Sequence, residues 1–180
     1  RLLVIAGSKG MAGAAYLNAH AAYMIGAGLV RIYTSSDNRE ILQTLLPEAI
    51  VTTYEEHNKE ELLSLLTWAD SVCIGSGLGM SRLSEKILKT VIEYVKVPCL
   101  IDADGLNLLA ENKNYLNQMA ERRFVITPHM KEMSRLTGTP VEELKADRIQ
   151  ILKDFISRYR ITCVLKDSRT LIASEEKGIR

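Results

Sequence analysis

Five short segments of this 180-residue chain hold the residue types able to bind or transform a ligand, and each follows an apolar run. The first is Ala6-Gly7-Ser8-Lys9-Gly10-Met11-Ala12-Gly13-Ala14-Ala15. Small side chains let a ligand approach the backbone, and a helix starting there offers free N–H groups to an anion. The same residues also suit a tight turn before an alanine-faced helix. Their spacing fits neither the dinucleotide fingerprint nor the P-loop. The second is Gly75-Ser76-Gly77-Leu78-Gly79-Met80-Ser81, dense enough in glycine for left-handed backbone or close contact with phosphate. The third, Asp102-Ala103-Asp104-Gly105, brings two carboxylates able to hold a hydroxyl or a magnesium ion. Asp104 could equally cap a helix, so Asp102, last on its strand, is the stronger candidate of the two. The fourth is Thr127-Pro128-His129-Met130-Lys131-Glu132, with His129 at a strand end opening a helix; His20 and His57 have no such context. The fifth, Lys166-Asp167-Ser168-Arg169-Thr170, puts a lysine where it can meet a phosphate as a point charge, or makes an exposed hairpin turn.

Elements of alternating type must position these segments. Short, largely apolar runs predict strands at 2–6, 29–34, 49–53, 71–74, 99–101, 124–127, 162–166 and 170–173. Uninterrupted apolar character is expected of parallel strands covered on both faces. Helices are predicted at 12–25, 38–45, 59–66, 83–94, 106–116, 131–137 and 141–159. In the fourth, Ile87, Leu88, Val91, Ile92 and Val95 repeat at three and four, and Ser81 or Ser84 is placed to cap its start. Strand–helix alternation predicts an α/β sandwich of a mostly parallel sheet with helices on both faces, the last two strands forming a hairpin-like addition. In such sheets ligands gather beyond the carboxyl ends of the strands, where all five segments fall.

Composition excludes several classes of function. Hydrophobic residues make 47% of the chain and charged residues 25%, as in an ordinary globular protein. Lys and Arg number 23 against 22 Asp and Glu, a net charge of +1, which leaves no basic surplus for a nucleic acid. Cys73, Cys99 and Cys163 lie in apolar runs without a Cys-x-x-Cys pair, which suits inert thiols in a reducing compartment. The Gly/Ala-rich stretch 11–30 holds Asn18 and His20 and lacks the character of a membrane span or signal peptide. The expectation is a cytoplasmic protein. The chain begins at Arg1 directly on an apolar run and stops at Gly178-Ile179-Arg180, which predicts one domain over residues 1–180, incomplete at both ends.

Taken in order, Ala-Gly-Ser…Gly-Ala-Ala, Ile-Gly-Ser-Gly-Leu-Gly, Asp-Ala-Asp-Gly-Leu, Thr-Pro-His-x-x-Glu-Met and Val-Leu-Lys-x-x-x-Thr resemble the ADP-dependent NAD(P)H-hydrate dehydratases of ribokinase-like fold. The likeness runs from residue 2 to about residue 174. It implies a ribokinase-like three-layer sandwich, an enzyme that restores hydrated NADH or NADPH, ADP (or ATP) as co-substrate, and Mg2+ bridging its phosphates. It also implies that Gly13, Ala14, Gly77, Gly79 and His129 contact the hydrated dinucleotide, and that Lys166, Asp167, Ser168, Arg169 and Thr170 contact the adenine nucleotide. The chain departs from the family pattern in three ways. Asp167 replaces a glycine, Ser76 replaces a proline, and the family's Gly-Gly-Ser/Thr-Gly-Asp segment with its catalytic aspartate is not among residues 1–180. Asp102 and Asp104 are then the remaining candidates for a base. Two other classes stay open: a small-molecule kinase of the same fold, and a non-catalytic nucleotide-binding module. A homo-oligomer is compatible with the alanine- and leucine-rich helical faces.

Overall fold

In the computed structural model the described residues are 1–175 and 177–179, and the chain divides into two compact units, residues 1–99 and 100–180. The first unit begins with β1 (Leu2–Ile5), α1 (Ala12–Met24), β2 (Val30–Ser35), a 3₁₀ turn at Ser36–Asn38 and α2 (Arg39–Leu45). It continues with β3 (Ile50–Tyr54), α3 (Lys59–Trp68), β4 (Ser71–Ile74) and α4 (Arg82–Tyr94). Its strand order is β3-β2-β1-β4, with all three pairings parallel. The register sets Leu2 against both Val30 and Ser71, so β1, between its two neighbours, is apolar over its whole length.

Alanine decides how closely α1 lies on that sheet. Ala12, Ala15, Ala19 and Ala22 are buried at steps of three and four, which makes one helical face. Three of them, Ala15, Ala19 and Ala22, pack with Val4, Val30 and Ile32 in one core cluster, where a larger side chain would push helix and strands apart. Helix α4 shows a conventional apolar stripe instead, with Ile87, Leu88, Val91 and Ile92 buried. Ser81 caps it by accepting from the Ser84 N–H at 3.1 Å.

The second unit runs β5 (Cys99–Ile101), α5 (Asp104–Glu111), α6 (Asn114–Met119), β6 (Phe124–Ile126), α7 (Met130–Thr137), α8 (Val141–Ala146), α9 (Arg148–Tyr159), β7 (Thr162–Leu165), β8 (Leu171–Ser174) and β9 (Gly178–Ile179). Strands follow in chain order here; β6 and β7 are parallel, and β7, β8 and β9 form an antiparallel meander. The expected hairpin-like addition is therefore present, extended by a short strand that residue types do not announce.

Two expected helices are each broken in two. The run 106–116 parts at Asn112, which leaves the helical region and accepts from the Asn114 N–H. The run 141–159 parts at Asp147, whose side chain caps α9 by accepting from the Gln150 N–H. Both breaks are made by Asx side chains that bond the backbone ahead of them, an alternative to continuing the helix.

None of the three cysteines is paired in a disulfide, and burial pushes the Cys163 thiol up to about 12, far from reactivity at neutral pH. No helix among the described residues is long and apolar enough to cross a membrane.

One buried polar group organises the first unit. Asn38 is 1% exposed, and its amide donates to the carbonyls of Gly7 (2.8 Å) and Ser8 (3.1 Å) and to Thr34 Oγ1 (2.9 Å). Asn38→Leu strips these donors and leaves buried acceptors short of partners, at a cost of about 1–3 kcal/mol. The expected outcome in urea unfolding is a lower midpoint at unchanged slope; a shift worth less than about 0.5 kcal/mol would contradict it.

Candidate functional site

In the first unit the loops after β1 and β4 are joined backbone to backbone. The Gly7 N–H donates to the Ser76 carbonyl at 3.1 Å and the Ser8 N–H to the Gly77 carbonyl at 2.6 Å. The Gly7 carbonyl accepts from Thr34 Oγ1 (2.7 Å), Asn38 Nδ2 and the Ser35 N–H (3.1 Å). A Cβ on Gly7, which sits at φ +79°, would meet Thr34 Oγ1 at 2.9 Å and Ala15 Cβ at 3.0 Å. Glycine is therefore obligatory at that point. So it is at Gly77, where φ is +61° and a Cβ would lie 2.8 Å from Ala14 Cβ.

This brings Ala14, Gly77 and Gly79 together with Ser8 at the start of α1. Packing against α1 already accounts for Gly77, which is buried. Gly13 differs. It is exposed in the first turn of α1, and a Cβ there would touch nothing within 4 Å. Its small size serves no packing need and leaves the first turn of backbone open to a ligand. Ser84 ties the second loop to α4, its hydroxyl donating to the Leu78 carbonyl at 2.8 Å.

In the second unit Asp102, His129 and Lys166 stand at the ends of the neighbouring strands β5, β6 and β7. Lys166 Nζ donates to Asp102 Oδ1 at 2.8 Å, with the two side chains 42% and 28% exposed. The same carboxylate oxygen accepts from the Ala103 N–H at 2.8 Å. Lys166 is held by its backbone too, since its N–H donates to the Pro128 carbonyl at 2.8 Å and it bridges His129 in parallel register.

The expected alternative of Asp104 as a helix cap is corrected. Ala103 occupies the cap position with φ +51°, and Asp104 is the first residue of α5, where its charge favours the helix N-terminus.

His129 is itself a cap. Its Nδ1 accepts from the N–H groups of Lys131 (3.1 Å) and Glu132 (3.2 Å), while the His129 N–H donates to Glu132 Oε2 at 2.8 Å. This reciprocal box uses the N–H groups that would otherwise greet an anion. Because Nδ1 accepts, the neutral ring carries its hydrogen on Nε2, the atom 3.4 Å from Glu132 Oε1. The ring is half exposed, so capping does not bury it.

Beyond Lys166, Ser168, Arg169 and Thr170 form an exposed turn into β8. Asp167 is not a bare carboxylate in that turn, because Arg148 Nη1 donates to its Oδ2 at 2.7 Å. Arg148, Thr34 and Asn38 are missed by sequence reasoning; each acts on a strand-end loop from a residue far along the chain. Thr127 belongs to the fourth segment, and its Oγ1 is buried with no hydrogen-bond partner.

A mostly parallel sheet crossed by helices is the architecture of the ribokinase-like α/β class, and similarity to known proteins gives the family. The family model for NAD(P)H-hydrate dehydratase matches residues 2–179, and the chain belongs to that family. It is 41% identical over 179 residues to the bifunctional NAD(P)H-hydrate repair enzyme Nnr of Escherichia coli, covering 99% of this chain and 33% of that protein. To the ADP-dependent (S)-NAD(P)H-hydrate dehydratase of Lactiplantibacillus plantarum it is 33% identical, over 98% of this chain and 62% of that protein. The chain thus spans about a third of the bifunctional relatives and under two thirds of the shorter one.

Among solved structures, protein SMU.573 of Streptococcus mutans superposes with TM-score 0.84 at 30% identity, covering 99% of this chain and 63% of that one. The ADP/ATP-dependent NAD(P)H-hydrate dehydratase of Bacillus subtilis, co-crystallised with ATP/Mg2+, gives 0.77 at 27%, covering 99% and 61%. The expected ribokinase-like α/β fold is borne out.

The cap geometry makes His129 testable apart from any ligand. His129→Ala removes the acceptor of two N–H groups, which costs about 1 kcal/mol. Calorimetry should show a melting temperature lower by roughly 2–4 °C for a chain of this size; an unchanged one would deny the cap its energetic role.

Proposed function

We propose that this chain forms most of the ligand-binding part of an ADP-dependent dehydratase that returns hydrated NADH or NADPH to the reduced dinucleotide. The observation that carries the reading is the Lys166–Asp102 pair beside His129 at adjacent strand ends, in a chain that belongs to the NAD(P)H-hydrate dehydratase family. In this reading the phosphates of ADP or ATP take Lys166 as a cation, and the turn Asp167, Ser168, Arg169 and Thr170 lies against the nucleotide. The hydrated dinucleotide takes Gly13, Ala14, Gly77, Gly79 and His129 as contacts. Gly13 gives it an open helix N-terminus.

The chemistry turns a poor leaving group into a good one. The ring hydroxyl takes the terminal phosphoryl group of ADP, leaving AMP; phosphate then departs with its bonding electrons as a neighbouring ring proton is lost, and the double bond returns. Such transfers rest on positioning and on charge stabilisation. Lys166 meets both needs, because Asp102 fixes its Nζ and phosphate can replace Asp102 as its partner.

Among the described residues no cluster of three His, Cys, Asp or Glu could hold a metal. The side chains present fit a Mg2+ carried mainly by nucleotide phosphates and water, with Asp102 near enough to Lys166 to contribute one oxygen. When bound, that ion shields phosphate charge. Asp102 bonds Lys166 until phosphate takes its place and Asp104 belongs to the α5 first turn, which makes both weak candidates for the base. In this reading the base is an aspartate outside residues 1–180.

The test is recovery of reduced-nicotinamide absorbance from the hydrate by the full-length protein, with Mg2+ and ADP or ATP. Lys166→Ala should raise the KM for the nucleotide by about tenfold or more, the scale of one charged hydrogen bond. Lack of turnover by the parent protein, or a variant with unchanged KM, would contradict the proposal.

A further inference from the structure

The charge in the turn after β7 is managed by a residue from another element. Asp167 follows Lys166 directly, so a free carboxylate there would compete for the lysine and repel an incoming phosphate. It is not free: Arg148 Nη1 bonds its Oδ2 at 2.7 Å, and the two side chains are 26% and 27% exposed.

Arg148 gains nothing for its own helix. It is the first residue of α9, where a cation opposes the helix dipole, and the N-terminal cap is supplied by Asp147. A guanidinium suits the task because its planar fork fixes a carboxylate in direction as well as in distance. With Asp102 on Lys166 and Asp167 on Arg148, Arg169 is left in the same turn with no ion pair among the described residues. Arg169 is therefore not spent on the turn's own acid.

We infer that Arg148 is a positioning residue of the nucleotide site: it captures the Asp167 carboxylate and keeps that charge from swinging toward bound phosphates. The inference rests on the reading that adenine nucleotide binds at residues 166–170. Without Arg148 the carboxylate is free to turn onto Lys166 or the phosphates. Without the carboxylate, Arg148 has nothing to hold. The two residues are thus coupled, and the coupling is measurable.

The experiment is a double-mutant cycle on ADP binding in the full-length protein, by calorimetry at low ionic strength with Mg2+. The set is the parent, Arg148→Ala, Asp167→Gly and the double variant, with Arg148→Lys and Lys166→Ala as separate arms. Arg148→Ala should weaken ADP binding by about tenfold with Asp167 present, the scale of one uncompensated charge at a partly exposed site. In the Asp167→Gly background the same change should cost less than about twofold, because the partner it restrains is gone. Arg148→Lys should restore most of the affinity, since the carboxylate again has a cation to hold it. Equal losses in both backgrounds would show that Arg148 touches the nucleotide itself, and no loss in either would show that Asp167 needs no restraint; both results overturn the inference while leaving the site reading intact. If ADP does not bind the parent, or if Lys166→Ala leaves binding unchanged, the site reading fails and the inference with it.

Discussion

Parallel pairing is the constraint from which the rest follows. A parallel strand cannot turn straight back, so the chain leaves each carboxyl end through a loop, crosses by a helix and re-enters at the far end. In the first unit that rule places the Gly7 and Gly77 loops side by side, because β1 and β4 are neighbours. In the second it sets Asp102, His129 and Lys166 on adjacent strand ends. The loops then need only short-range fixing. Three donors on the Gly7 carbonyl and the Lys166 N–H on the Pro128 carbonyl provide it.

Electrostatics adds a second layer. The charges near the end of β7 are paired within the protein, Lys166 with Asp102 and Asp167 with Arg148. Pairs this exposed contribute little to stability, on the order of 0–1 kcal/mol each. Their value is positional. A phosphate that takes Lys166 exchanges one anionic partner for another and so avoids much of the cost of stripping water from a bare ammonium.

Much of this was legible in the residues. Apolar runs found eight strands to within a residue or so at most ends, because strands covered on both faces tolerate little else. The glycine-dense loops were legible as well, since φ values of +79° and +61° at Gly7 and Gly77 leave little other choice. Helix continuity was not. Asn112 and Asp147 sit inside periodic apolar patterns, and only a side-chain bond to the following backbone reveals the break. The supporting residues were hidden for another reason. Asn38 reaches Gly7 across 31 positions and Arg148 reaches Asp167 across 19, contacts that no local pattern encodes. His129 was visible as a residue of interest, but its box with Glu132 depends on a helix start one residue earlier than periodicity suggested.

Hydrogen exchange of the backbone amides, followed by mass spectrometry with and without ADP and Mg2+, tests the central claim most directly. The claim is that nucleotide binds where β6 and β7 end. Slower exchange on ADP addition is then expected in peptides covering 127–133 and 164–171. Protection confined to other segments, such as the cavity of about 470 Å³ lined by Lys113, Asn117, Thr139 and Arg158, would contradict it.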